Sequence, residues 1–282
     1  MFKIKSITKE DIQNFKIHLL NEEKSAATLC KYLHEVQSFA AWLDGRALEK
    51  GLVLEYKARL TEAYTPVSVN AALSSLNSFF EFREWFDLRV KRLKIQKQIF
   101  AATEKELTKA DYGRLLSAAK QQKNERLYLL MQTVCSTGIR ISELRFITVE
   151  ALEGSCARIH CKGKSRSVFL PDQLCKMLKR YTRARKIKSG AVFVTKNGNP
   201  LDRSNIWSDM KKLCKIACVS EKKVFPHNLR HLFARTFYAV RKDIVRLADI
   251  LGHSSVNTTR IYTMETGEVH RKQIQTLGLL RC

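Results

Sequence analysis

Leu251-Gly252-His253-Ser254-Ser255-Val256-Asn257-Thr258-Thr259-Arg260-Ile261-Tyr262 is the stretch from which the rest of the chain can be read. It follows an apolar-periodic segment, Ile244 to Leu251, that stops at Gly252, the residue type best able to end a helix in a left-handed turn. Ser254 and Ser255 are suitable N-caps for a new helix, with His253 just before its first turn and Tyr262 about two turns in. A tyrosine and a histidine are thereby brought to a helix N-terminus, where free N–H groups favour a phosphate. Taken alone, the same pattern also describes a capped surface helix whose tyrosine packs on the core.

Two upstream segments have the same character. In Pro226-His227-Asn228-Leu229-Arg230-His231-Leu232-Phe233-Ala234, Pro226 opens a helix. His227 and Arg230, three apart, then share one face, while Leu229, Leu232 and Phe233 turn to the core. In Ser136-Thr137-Gly138-Ile139-Arg140-Ile141-Ser142-Glu143-Leu144, an apolar helix breaks at Gly138 and restarts with Arg140 and Glu143 again three apart. Arg140 in T-G-x-R-x-S-E-L, His227 and Arg230 in H-x-L-R-H, and His253 and Tyr262 in L-G-H-x-x-x-x-T-T-x-x-Y together resemble the signature of the tyrosine recombinases, the phage integrase family. Each motif is weak by itself; their order and spacing are specific.

The resemblance implies a mainly α fold with a small antiparallel β-sheet, in which a helical core-binding domain precedes a tyrosine-recombinase catalytic domain. The chain has room for both, since 282 residues exceed one small core. Residues 1–91 read as four helices: from Thr8 or Ser6 through Leu20, from Ser25 to Leu43, from Leu48 to Glu62, and from Pro66 to Phe86. A polar, basic linker at 92–105 leads to a second domain at 106–282, whose first helix Thr108 can cap. Between Val149 and Pro171 the pattern changes to two strands, Cys156–Cys161 and Ser167–Leu170, joined by the turn Lys162-Gly163-Lys164-Ser165. Ala191–Val194, closed by an Asn197-Gly198 turn, reads as a further strand.

Charge points to the partner. The chain carries a formal net charge of +24. Residues 1–96 hold 15 Lys and Arg against 12 Asp and Glu, so the remaining 36 basic and 15 acidic residues give residues 97–282 a net +21. Such a charge implies a polyanion, because neutralising phosphates releases counterions. An anionic membrane surface fits less well, as the basic residues are scattered over several elements. No window of eighteen residues is apolar and uncharged, and the N-terminus lacks a secretory pattern, so the expected location is the cytoplasm, with the nucleoid. The eight cysteines form neither a disulfide framework nor a paired metal motif. Cys214 and Cys218, four apart, are suited to packing; as zinc ligands they would need a second pair that does not follow. No metal, cofactor or nucleotide is expected. Gly163-Lys164-Ser165 mimics the end of a phosphate-binding loop, but that loop needs glycine where Arg158 stands.

The resemblance assigns roles residue by residue. Arg140 and Arg230 would stabilise charge on the non-bridging oxygens of a phosphodiester. Tyr262 would attack phosphorus, leaving a 3′-phosphotyrosine and a free 5′-hydroxyl. His227 and His253 would move protons or donate to the phosphate, with Glu143 orienting Arg140 in support. A hairpin lysine would protonate the leaving oxygen: Lys162 in K-G-K-S-R-S-V-F-L-P, or Lys164, because the turn is one residue shorter than the family's. His231, Arg235 and Arg260 read as helix-surface or DNA-backbone contacts, and the basic run Lys176 to Lys188 as a solvated or phosphate-facing helix side. Partners implied are double-stranded recombination sites and further copies of the chain in a tetramer, with Glu265 to Cys282 as a tail that docks on a neighbour. The length is that of the short Xer-like members. A catalytically silent architectural DNA-binding protein and a nicking-religating topoisomerase of type IB are the rival readings.

Overall fold

The computed structural model describes residues 5–95, 106–161, 163–195, 197–262 and 274–277, and divides the chain into two compact units, Met1–Lys97 and Gln98–Cys282. In the first unit four helices, α1 (Lys9–Asn21), α2 (Ala26–Leu43), α3 (Lys50–Ala63) and α4 (Pro66–Phe82), pack around Phe15, Phe39, Phe79 and Phe80, all fully buried. Thr8 and Asp11 cap α1 reciprocally, each side chain taking the other's backbone N–H at 2.9 and 3.1 Å. The last helix ends at Phe82, not Phe86: Arg83 leaves helical geometry, Glu84 turns to φ +57°, and Phe86–Leu88 forms a separate 3₁₀ turn. Asn70 and Asn77 on α4 then bracket the backbone of Leu93 and Val90, which ties the start of the sequence-read linker to this unit. The rest of that linker, 96–105, lies outside the described residues.

The second unit is built on α5 (Lys109–Gln121), α6 (Glu125–Thr137), α7 (Val149–Glu153), α8 (Asp172–Ala184), α9 (Arg203–Ala217) and α10 (Pro226–Arg241). After these come α11 (Ile244–Leu251) and the single turn α12 (Val256–Thr259), which tightens into a 3₁₀ turn at Arg260–Tyr262. Thr108 and Asp111 repeat the reciprocal cap at the start of α5. Strands β1 (Cys156–Cys161) and β2 (Lys164–Phe169) form one antiparallel hairpin, with Cys156 opposite Phe169 and Cys161 opposite Lys164.

This register corrects the turn. Lys164 and Ser165 belong to β2, with Lys164 opposite Cys161, so the connection is shorter than the four residues read, and Gly163 within it takes a positive φ (+72°). Ala191–Val194 is not a strand. It makes two isolated bridges, Thr148 to Ala191 and Val194 to Pro200, so the described sheet has two strands. Arg235 is not a free surface cation either: it pairs with Glu106 and donates to the Leu107 carbonyl at 2.6 Å, fastening α10 to the residues that precede α5. Cys214 is part of the core between α5 and α9, whereas Cys218 is exposed in the left-handed turn ending α9. Among the described residues, no helix is long and apolar enough to cross a membrane.

Candidate active site

Three chain reversals converge. The first is the end of α6, where Gly138 (φ +67°) caps the helix in the left-handed conformation. A Cβ at this position would lie 2.4 Å from the Phe233 ring and 3.0 Å from Leu251, so only glycine lets α10 and α11 close over the turn. The chain then re-enters a 3₁₀ turn, Ile141–Phe146, whose N-cap is Arg140. The predicted restart is thus a tighter helix than α, which keeps Arg140 and Glu143 together. The Arg140 backbone N–H donates to Glu143 Oε2 at 2.8 Å and its Nη1 to Oε1 at 2.9 Å, while Nη2 points to the Gly252 carbonyl at 3.4 Å. The side chain stays 38% exposed, a guanidinium anchored on one edge and open on the other.

The second contribution comes from α10. Pro226 at N1 starts the helix, placing His227 at its exposed opening and Arg230 one turn further in. Arg230 is 1% exposed, and its charge is met by protein acceptors at the two other reversals: Nη1 donates to the Gly138 carbonyl and Nη2 to the Leu251 carbonyl, both at 2.7 Å. Its Nε has no partner. Burial, and then the neighbouring Arg140 charge, bring its pKa down to about 10, with the Tyr262 hydroxyl and Glu143 acting the other way. The group remains charged at neutral pH.

The third reversal is the sequence stretch from Leu251 to Tyr262. Gly252 ends α11 at φ +64° and Ser255 caps α12, accepting from Asn257 N–H at 3.2 Å. The expected two-turn helix is one α turn and one 3₁₀ turn, too short to bind an anion by its N-terminus, so the site depends on side chains. His253 Nε2 lies 2.9 Å from Arg230 Nη2, and Nδ1 lies 2.8 Å from the hydroxyl of the buried Thr259. A guanidinium only donates, so Nε2 accepts and Nδ1 carries the proton, which makes His253 a neutral imidazole of defined tautomer. Its pKa is pushed down to about 4 by burial, then by Arg230, Arg140 and Arg166.

Tyr262 closes this group. It is 4% exposed, packs with Ala234, Leu247 and Leu251, and stacks on His253 with ring centroids 6.1 Å apart. His231 meets it edge-to-face at 4.8 Å and is itself 4.6 Å from His227. The sequence reading of His231 as a surface or backbone-contact residue is therefore corrected. Its position one residue after Arg230 turns it under the nucleophile candidate, its Nε2 is buried without a partner, and burial and His227 push its pKa down to about 4. His227 is also shifted down, by desolvation and then by Arg230, Arg140 and Arg203. All three imidazoles are neutral at pH 7; the accepting nitrogen of His253 is taken by Arg230, which leaves His227 and His231 to accept a proton.

The structure brings Arg140, Glu143, His227, Arg230, His253 and Tyr262 together. Lys162 lies outside the described residues, as does most of the tail, of which Ile274 to Leu277 is described. Arg166, on β2, was not singled out in the sequence reading, although it stands in the quoted hairpin motif. It forks onto Glu143 with bonds of 2.9 and 2.7 Å. Burial raises the Glu143 pKa, but the hydrogen bonds from Arg166 and from the Arg140 backbone outweigh it and hold the carboxyl below the usual range. Two guanidiniums thus share one carboxylate, with the buried Arg230 close by. A cleft of about 150 Å³ opens beside them, lined by Arg140, Ser142, Arg203, His227 and Arg230, and its excess of positive charge suits an anion.

Comparison with known proteins agrees in extent and fold. The sequence profile of the phage integrase family matches residues 105–268. Tyrosine recombinase XerA of Thermococcus kodakarensis is 31% identical over 96% of this chain and 96% of the relative. XerA of Pyrococcus furiosus is 28% identical over 98% of this chain and 96% of its own. The crystal structure of XerH site-specific recombinase bound to difH substrate, a pre-cleavage complex, superposes with a TM-score of 0.70 at 19% identity, covering 96% of this chain and 85% of that one.

Proposed function

The chain belongs to the phage integrase family, and from that membership and the site's geometry we propose that it is a site-specific DNA recombinase acting through a tyrosine nucleophile. One observation carries the chemistry: a buried tyrosine packs against His231 and His253, and their neighbours His227 and Arg230 line a cationic cleft with Arg140. In this reading a scissile phosphate enters the cleft against the open edge of Arg140. Tyr262 is buried in the protein alone, so DNA binding has to open a path to its hydroxyl.

The tyrosine oxygen forms a bond to phosphorus as the bond to the 5′-oxygen breaks. The phenolic proton passes to a neutral imidazole, for which His227 at the cleft and His231 beside the ring are placed. The negative charge that builds on the non-bridging oxygens is met by Arg140 and Arg230. His253, whose Nε2 is occupied by Arg230, holds that guanidinium in place. A hairpin lysine, Lys162 or Lys164, supplies the proton to the departing 5′-oxygen. The bond energy is kept in the 3′-phosphotyrosine, so rejoining needs no nucleotide.

In the same reading residues 1–91 are the core-binding domain, 92–105 the linker and 106–282 the catalytic domain, acting in the cytoplasm on paired duplexes as a tetramer. An apolar groove of about 540 Å³ between α5, α6 and α10, lined by Tyr112, Cys135, Leu232, Phe233, Phe237 and Val240, is suited to receive a neighbour's tail. Ile274 and Leu277 of that tail are exposed. Incubation of the full chain with a randomised, nicked duplex pool, followed by detergent and recovery of protein-linked DNA, tests the function. An enriched sequence supports it, and no adduct under any condition would refute it.

A further inference from the structure

Glu143 is 1% exposed and holds two arginines at once. Its Oε1 accepts from Nη1 of both Arg140 and Arg166, at 2.9 Å each, and its Oε2 accepts from the Arg140 backbone and from Arg166 Nη2. Arg166 is itself clamped from the other side. Gly252 lies so close to it that a Cβ there would be 2.7 Å from Arg166 Cδ and Nη1. The Gly252 carbonyl faces Arg140 Nη2, and the next residue is His253. The fork is costly: Arg166 is 17% exposed and its Nε is buried with no partner. A buried ion pair is often no more stable than an apolar replacement, so fastening a hairpin does not by itself account for one.

We propose that Arg166 is a positioning residue for strand cleavage, fixing the Glu143 carboxylate and through it the Arg140 guanidinium at the scissile phosphate. This rests on the recombinase reading above. Arg166 itself need not touch DNA. Without it, Glu143 keeps only its bonds to Arg140, is free to rotate about its terminal torsion, and loses the stronger of the two side chains that keep it ionised in a buried place. Arg140 would then swing on a mobile or neutral anchor, and its open edge would no longer meet the developing charge at a set angle.

The test uses the full chain and a suicide duplex recovered by covalent capture on the wild-type protein, made with either an ordinary scissile phosphodiester or an uncharged methylphosphonate. Arg166→Gln should slow adduct formation on the phosphodiester by about 30-fold, less than the ~10²–10³ expected for losing a direct oxyanion donor. On the methylphosphonate the defect should shrink to ~3-fold or less, because a neutral linkage places little demand on a cationic clamp. Arg166→Lys, which keeps the charge but not the two-pronged fork, should fall between, and duplex affinity should be unchanged in both variants. Equal losses on the two linkages, or losses that follow the folded fraction measured by circular dichroism, would reduce Arg166 to scaffolding and overturn the proposal. Recovery on a 5′-bridging sulfur would overturn it differently, by moving the effect to leaving-group protonation. If wild type forms no adduct the recombinase reading fails and takes this inference with it, whereas an active wild type with an unimpaired Arg166→Gln sinks the inference alone.

Discussion

Gly138→Ala perturbs the reversal on which the arginines depend. The residue is at φ +67°, where an L side chain costs roughly 1–2 kcal/mol. The added methyl would also sit 2.4 and 2.6 Å from Phe233 Cδ1 and Cε1 and 3.0 Å from Leu251 Cδ2, an overpacking worth about 1–3 kcal/mol. The sum, about 2–5 kcal/mol, corresponds to a fall of roughly 4–20 °C in the melting temperature of a unit of this size. Scanning calorimetry of the full chain should show that fall in the transition of the second unit and none in the first. Phe233→Leu in the same chain separates the contributions: the steric part should be relieved, giving a coupling of about 1–3 kcal/mol, while the backbone part stays. Because the Gly138 carbonyl accepts from Arg230, cleavage should fall further than stability accounts for. A loss below ~0.5 kcal/mol, or strict additivity with Phe233→Leu, would refute the close packing of this turn.

DNA affinity should fall steeply with salt, because residues 97–282 hold 36 basic against 15 acidic residues; neutralising about six phosphates gives a log–log slope of roughly −5 in a binding titration, and a slope near zero would remove the electrostatic argument. The second unit should lose stability as pH falls. His227, His231 and His253 have folded pKa values below the unfolded value, so their stabilisation is complete above about 6.5 and is lost as pH falls, for His231 and His253 progressively toward about 4; His231→Phe should flatten part of that loss in a pH series of melting curves. Lys162→Ala should bind DNA normally, cleave slowly, and recover on a 5′-bridging sulfur whose departure needs little protonation; recovery at Lys164→Ala instead would move the general acid to β2. Removing Glu265 to Cys282 should weaken higher-order complexes in band shifts more than binding of one protomer to one half-site, and equal losses would place the tail in its own protomer.

Much of the site was legible because its residues punctuate helices. Gly138 and Gly252 announce left-handed turns, Pro226 and Thr108 announce helix starts, and the candidate residues follow these signals at fixed offsets. What is built through space was not legible. Nothing in H-x-L-R-H says that Arg230 would be 1% exposed on two carbonyls, or that His231 would turn under Tyr262, since both depend on how α10 meets the ends of α6 and α11. Arg166 carried a signal that was available: in a hairpin that pairs Cys161 with Lys164 it stands opposite buried Ile159, so an arginine there occupies an inward position and needs a carboxylate. The longer turn read from sequence hid that register. Ala191–Val194 has strand composition, but its neighbours Ile147 and Thr148 offer one backbone hydrogen bond and one bridge rather than a strand to pair with.

The claim that Tyr262 is the nucleophile is tested most directly by finding the atom to which DNA becomes attached. The captured adduct is digested with nuclease and protease and the linked peptide is sequenced by mass spectrometry, with Tyr262→Phe in parallel. The account predicts a nucleotide joined through its 3′-phosphate to the peptide containing Tyr262, a free 5′-hydroxyl on the other strand fragment, and no adduct from Tyr262→Phe despite wild-type DNA binding. A nucleotide on any other residue, a 5′-phosphate linkage, or an adduct that persists in Tyr262→Phe would contradict it.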